Sequence, residues 1–126
     1  MKKILLVDDS FVIQELLSRF FSNHSQYLVY TAEDGEGALD QIQNNPPDLI
    51  LLDIILPKVN GIEFLKQLKN DDTTAHIPVI LMSGTMVDDQ AKRDGLAAGA
   101  IEFLTKPFDM QHLLDVVNDL FPPEDE

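Results

Sequence analysis

Leu49-Ile50-Leu51-Leu52-Asp53 is a run of four apolar residues that ends on a carboxylate. Unbroken rather than alternating hydrophobicity suits a strand covered on both faces, as in a parallel sheet held between two helical layers. Four other runs of this kind flank it: Ile4-Leu5-Leu6-Val7, Tyr27-Leu28-Val29-Tyr30, Ile77-Pro78-Val79-Ile80-Leu81-Met82 and Ile101-Glu102-Phe103-Leu104. The stretches between them carry apolar residues at helical spacing, as at Ile13, Leu16, Leu17 and Phe20, at Ala38, Leu39 and Ile42, at Ile62, Leu65 and Leu68, and at Leu113, Leu114, Val117 and Leu120. A weaker helical stretch spans Val87 to Ala98 and contains Gly95, so its ends are the least defined. Breakers at Asp34-Gly35, Asn45-Pro46-Pro47, Asn60-Gly61 and Gly99 separate the elements. The pattern is (βα)5. It predicts an α/β fold with a doubly wound five-stranded parallel sheet, for which 2-1-3-4-5 is a common strand order.

The length of 126 residues suits one domain with a sizeable core. We read residues 1–121 as that domain and 122–126, Pro-Pro-Glu-Asp-Glu, as an acidic tail or the stub of a linker. With 44% hydrophobic and 25% charged residues, the composition is that of a soluble globular protein. No apolar run reaches the ~20 residues of a membrane span, and Met1-Lys2-Lys3 leads directly into a short strand, which predicts a cytoplasmic location and no membrane partner. There is no cysteine, hence neither disulfide nor thiolate metal site. A net charge of −13, with nine Lys and Arg, argues against direct nucleic-acid binding.

Open α/β sheets bind ligands outside the carboxyl ends of their strands. Those ends carry Asp8 and Asp9 after the first strand, Asp53 after the third, Ser83 after the fourth and Lys106 after the fifth. The second strand ends near Thr31 and, as the edge of the expected sheet, contributes nothing evident. Carboxylates this close repel: at an effective dielectric near 20, a pair ~4 Å apart costs about 4 kcal/mol. A hard divalent cation resolves the repulsion, and magnesium, or manganese in its place, commonly takes one or two carboxylates and leaves room for a phosphate oxygen. Lys106 adds a second positive charge. Such a set serves phosphoryl transfer, with Asp53 as covalent nucleophile and Ser83 and Lys106 as partners for phosphate oxygens.

The chain resembles the response-regulator receiver domains, a CheY-like family. The resemblance rests on Leu5-Leu6-Val7-Asp8-Asp9-Ser10, Glu33-Asp34-Gly35-Glu36-Gly37-Ala38-Leu39 and Asp48-Leu49-Ile50-Leu51-Leu52-Asp53-Ile54-Ile55-Leu56-Pro57. It continues through Asn60-Gly61-Ile62-Glu63-Phe64-Leu65, Ile77-Pro78-Val79-Ile80-Leu81-Met82-Ser83-Gly84 and Gly99-Ala100-Ile101-Glu102-Phe103-Leu104-Thr105-Lys106-Pro107-Phe108. It implies that Asp53 is the phosphoacceptor of a two-component phosphorelay, supplied by a histidine kinase or histidine phosphotransfer protein. It further implies that magnesium is bound by Asp9, Asp53 and the backbone carbonyl of Ile55, with Asp8 reaching the metal through water. Lys106 and Ser83 would contact the phosphoryl group, and Lys106-Pro107 would be a cis peptide. Phe103 would be an aromatic switch that turns inward as Ser83 is drawn to the phosphate. Output would pass through the fourth helix, fifth strand and fifth helix to a partner protein or domain, or to a phosphorylation-dependent homodimer. The domain is then a signalling switch rather than a turnover enzyme. Ile55 offers no polar side chain to orient water, and Thr85 no charge, so autodephosphorylation is expected to be slow.

Plainer readings stand beside these. Asp8-Asp9 alone is more often a solvated turn, Ser83-Gly84 a common end of a strand, and Phe103 a core aromatic. His24, His76 and His112 lack ligand-like spacing. A magnesium-dependent phosphohydrolase would need a second Asp two residues after the nucleophile, where this chain has Ile55. A receiver reduced to a constitutive binding module would not need the intact acidic set. A flavin-binding protein would need a phosphate-cradling loop where Asp8-Asp9 stands.

Overall fold

The computed structural model describes residues 1–84, 89–106 and 109–122. Ten elements alternate: β1 (Lys2–Val7), α1 (Phe11–Ser22), β2 (Tyr27–Ala32), α2 (Gly35–Asn44), β3 (Leu49–Asp53), α3 (Gly61–Lys69), β4 (Val79–Ser83), α4 (Asp89–Ala97), β5 (Glu102–Thr105) and α5 (Met110–Leu120). All strand pairs are parallel, in the order β2-β1-β3-β4-β5 expected from the sequence.

The strands split the core by parity. Leu5, Val7, Ile50, Leu52, Val79, Leu81 and Phe103 face Ala38 and Ile42 of α2 and Phe64, Leu65 and Leu68 of α3. Ile4, Leu6, Leu49, Leu51, Ile80, Met82 and Leu104 face Leu17 and Phe21 of α1 and Leu113, Leu114 and Val117 of α5. Successive strand residues point to opposite faces, so a strand feeding two layers must be apolar throughout. Each large aliphatic side chain so buried contributes about 1.5–3 kcal/mol.

Short polar side chains start the helices. Ser10, Asp34, Asn60 and Asp109 accept from the N–H groups of Ile13, Gly37, Ile62 and Gln111, each a free helical donor otherwise left unpaired. Strand β4 begins at Val79 rather than at Ile77. The Ile77 N–H is already given to the Thr74 carbonyl at 3.1 Å and Pro78 has none to give. Strand β5 is one residue later than its apolar run, because Glu102 pairs with Ile80 while Ile101 is 42% exposed.

Helix α4 buries a single residue, Gly95. A Cβ there would lie 2.5 Å from Leu81 Cδ1 and 3.4 Å from Phe103 Cδ2, so the glycine marks close helix-to-sheet approach. At the opposite edge of the sheet, the Tyr30 hydroxyl donates to the Asn45 carbonyl, and Lys3 Nζ donates to Asn45 Oδ1 at 2.7 Å. Burial, then the nearby Asp48 carboxylate, push the Tyr30 phenol up to about 12 from 10.0. Between those values the unfolded chain has lost a proton that the folded chain keeps, so stability falls as pH rises through this window. Tyr27, raised by burial, acts in the same direction. Tyr30→Phe is expected to lose about 1 kcal/mol at neutral pH and to decline less steeply toward about pH 11, measured by urea unfolding.

Candidate functional site

Four strand ends deliver the site. Asp8 follows β1 and is fully buried, Asp53 closes β3 at 6% exposure, Ser83 closes β4 fully buried, and Lys106 follows β5 with its side chain 13% exposed. The register sets Asp53 beside Met82 and Ser83 beside Thr105, which brings the ends level. Strand β2 lies at the sheet edge, and its Ala32 carbonyl accepts from the Asp8 N–H at 3.1 Å.

Lys106 Nζ sits between two acids, 2.7 Å from Asp8 Oδ2 and 3.3 Å from Asp53 Oδ2. The remaining oxygen of each accid-bearing side chain accepts a backbone N–H: Ser10 N to Asp8 Oδ1 at 2.8 Å, and Ile55 N to Asp53 Oδ1 at 3.0 Å. The Lys106 N–H donates to the Ser83 carbonyl at 2.6 Å, which ties the ends of β4 and β5. Asp9 is exposed, yet one ligand oxygen from each of Asp8, Asp9 and Asp53 lies within 4.8 Å of the others. This is an all-oxygen, anionic donor set, which fits a hard divalent cation.

Residues 4–118 match the family model described as the response regulator receiver domain. The chain belongs to the response-regulator receiver family. This receiver domain is 40% identical over 113 residues to the response regulator MprA of Mycobacterium sp. (strain KMS), covering 89% of this chain and 47% of that protein. It is 36% identical to the phosphate regulon transcriptional regulatory protein PhoB of Escherichia coli (strain K12), covering 90% of this chain and 48% of that protein. The chain therefore spans about half the length of these curated relatives. Among solved structures, the chemotaxis protein CheY4 of Vibrio cholerae superposes with a TM-score of 0.85 at 32% identity, over 96% of this chain and 99% of that one. The fold is thus CheY-like, and the domain is a signalling domain.

Charge in the receiver site is finely opposed. Burial holds the Asp53 carboxyl above its ordinary range, the Ile55 N–H pulls it down, Asp8 raises it and Lys106 lowers it, with a net rise. Burial alone would lower the Lys106 ammonium, but the hydrogen bond and charge of Asp8, with those of Asp53, outweigh it and leave the group raised. Lys106 therefore stays charged at neutral pH.

Phe103 is 7% exposed and lies inward, in the core cluster with Leu81 and Val79. Ile55 stands in the loop after β3 with its side chain 63% exposed. The Lys106-Pro107 peptide, Thr85 and residues 123–126, Pro-Glu-Asp-Glu, lie outside the described residues. Two contributors to the site are not assigned to it by the sequence, where Gly61 reads only as a breaker and Gln14 as an ordinary helical residue. Gly61 donates to the Ile54 carbonyl at 2.7 Å, and a Cβ on it would lie 2.3 Å from the Asp53 carbonyl oxygen. Gln14 Nε2 donates to the Asp8 carbonyl at 2.7 Å. Among the described residues no histidine joins the acidic group, and His112 instead faces Glu102 at 3.4 Å.

Proposed function

We propose that this receiver domain takes a phosphoryl group onto Asp53 from a phosphohistidine of a histidine kinase or phosphotransfer protein. The observation that carries the reading is the single ammonium of Lys106 set between two buried carboxylates, with a third carboxylate at the mouth. Asp9, Asp53 and the Ile55 carbonyl would hold magnesium or manganese, with Asp8 reached through water. When bound, the ion neutralises the carboxylates and the oxygens of the arriving phosphoryl group.

The chain's own groups do the rest. The Ile55 N–H on Asp53 Oδ1 fixes the carboxylate rotamer, so that an oxygen is presented to phosphorus while the donor imidazole departs. Lys106 supplies positive charge to a phosphoryl oxygen in place of an Asp53 oxygen, and the Ser83 hydroxyl donates to another. Phe11, Val12 and Leu16 of α1, the helix that follows Asp8 and Asp9 in the chain, are exposed and would offer the donor an apolar surface. Ile55 has no acid to protonate a leaving group or orient water, which favours a lasting phosphoryl switch over a phosphohydrolase.

Output would leave through α4, β5 and α5 toward a partner protein or output domain. Exposed Leu96 and Ile101 on this surface also suit a homodimer formed on phosphorylation. Phe103 already lies inward, so engagement of Ser83 would hold that position rather than create it. Residues 1–121 would be the receiver unit and 122–126 a tail or linker stub. A cytoplasmic setting accords with a phosphorelay; among the described residues no helix is long and apolar enough to cross a membrane.

Incubation with acetyl phosphate and magnesium, followed by intact mass, tests the reading. The wild type is expected to gain one phosphoryl group that persists for minutes or longer after the donor is removed, and Asp53→Asn to gain none. Equal labelling of both proteins would defeat it, and decay within seconds would defeat the slow-release part.

A further inference from the structure

Asp8 is held from every side. Its N–H donates to the Ala32 carbonyl at 3.1 Å, and its carboxylate is shared between the Ser10 N–H at 2.8 Å and Lys106 Nζ at 2.7 Å. Its carbonyl accepts from Gln14 Nε2 at 2.7 Å, six residues along on the half-buried side of α1. Asp9 is exposed, and among the described residues no hydrogen bond or ion pair restrains its side chain. Its direction depends on the backbone that carries it.

The Asp8 carbonyl is one end of the planar peptide unit that joins Asp8 to Asp9. A change in Asp8 ψ turns that plane about the Asp8 Cα–C bond and redirects the chain beyond it, the Asp9 carboxylate included. A hydrogen bond to the carbonyl oxygen is the direct brake on such rotation. Gln14 reaches it from the second turn of α1, whose own start is fixed by the Ser10 cap. A neutral amide suits the task. It donates without adding positive charge beside a cation site, as Lys or Arg would.

We propose that Gln14 is a positioning residue for the cation site: it locks the Asp8–Asp9 peptide so that the Asp9 carboxylate stays within reach of the oxygens of Asp8 and Asp53. This rests on reading the acidic trio as a magnesium site. Partners that orient metal ligands typically influence affinity by roughly 10–100-fold.

The test is magnesium titration by isothermal calorimetry of the full chain, with metal-free unfolding in parallel. Gln14→Met keeps length and removes the donor, and its magnesium Kd is expected to rise roughly 10-fold while the fold is retained. Gln14→Glu removes the donor but adds a negative charge. A purely electrostatic role makes that variant bind magnesium more tightly than wild type, whereas positioning makes it bind more weakly. An unchanged Kd in Gln14→Met, or tighter binding in Gln14→Glu, overturns the proposal. Wild type that binds no magnesium, or binds it unchanged after Asp9→Asn, overturns the reading of the trio itself and the proposal with it.

Discussion

Gly61→Ala is expected to cost about 3 kcal/mol or more of stability and to slow phosphoryl uptake at Asp53. Helix propensity alone predicts the opposite sign, since alanine exceeds glycine by about 1 kcal/mol inside a helix. Contact decides the matter. The new Cβ would lie 2.3 Å from the Asp53 carbonyl oxygen, 2.5 Å from Ile54 Cα and 3.0 Å from the Asp53 carbonyl carbon, and all three atoms are backbone. Nor can Gly61 retreat, because its N–H holds the Ile54 carbonyl at 2.7 Å. Either α3 withdraws or the strand end carrying Asp53 shifts. Gly84→Ala is the control: among the described residues its Cβ would meet only Lys106 Cδ at 3.8 Å, an ordinary contact, and stability should be nearly unchanged. Urea unfolding and acetyl phosphate labelling of both variants check this, and equal behaviour of the two would refute it.

Lys106→Met carries the second large effect. It leaves Asp8, fully buried, with the Ser10 N–H as its remaining partner, and leaves Asp53 facing Asp8 without a cation between them. Removing one member of a buried pair typically costs 3–5 kcal/mol. Burial is the largest single influence on the Lys106 ammonium and opposes its charge, so relief of that desolvation places the expected loss near the low end, about 3 kcal/mol. Added magnesium should narrow the gap, because an ion bound only by the folded chain stabilises it and supplies the missing positive charge. The increase in Tm on adding magnesium should therefore be larger in the variant than in wild type. Phosphoryl uptake should fall about 100-fold, as when one preorganised donor is removed from a charge-stabilising site. A metal-free variant as stable as wild type would contradict the electrostatic picture.

Much of the architecture was readable because parallel strands between helical layers have little choice of residue. Leu49 to Leu52 must be apolar to feed two cores, and the next position, Asp53, falls at the carboxyl end of the strand, buried beside Asp8 and Lys106. The site residues stood out for the same reason: charged or polar groups at the ends of apolar runs. The rest was hidden because it depends on distances between separate segments. Gly61 read as a breaker, whereas its lack of a side chain is what admits α3 to the Asp53 backbone. Gly95 read as a weakness in an amphipathic pattern and is instead a point of close approach to Leu81 and Phe103. Lys69, an ordinary polar residue at the end of α3, turns back to donate to the carbonyls of Ala75 and Ile77 at 3.0 and 2.8 Å. Its methylenes would crowd a Cβ on Gly99 at 3.2 to 3.5 Å, and the φ of +117° there already favours glycine. No periodicity announces such contacts.

Because α4 is seated by the contour of Gly95 and not by a row of large side chains, its attachment to the sheet is a matter of shape. Sliding such a rod forfeits dispersion contacts but wets little oily surface, so a displaced position of the helix would cost little. Under the proposed switch, one covalent event at the far ends of the strands then has only a shallow step to tilt, while the sheet with the deeply rooted α1 serves as the fixed mount against which the tilt is felt.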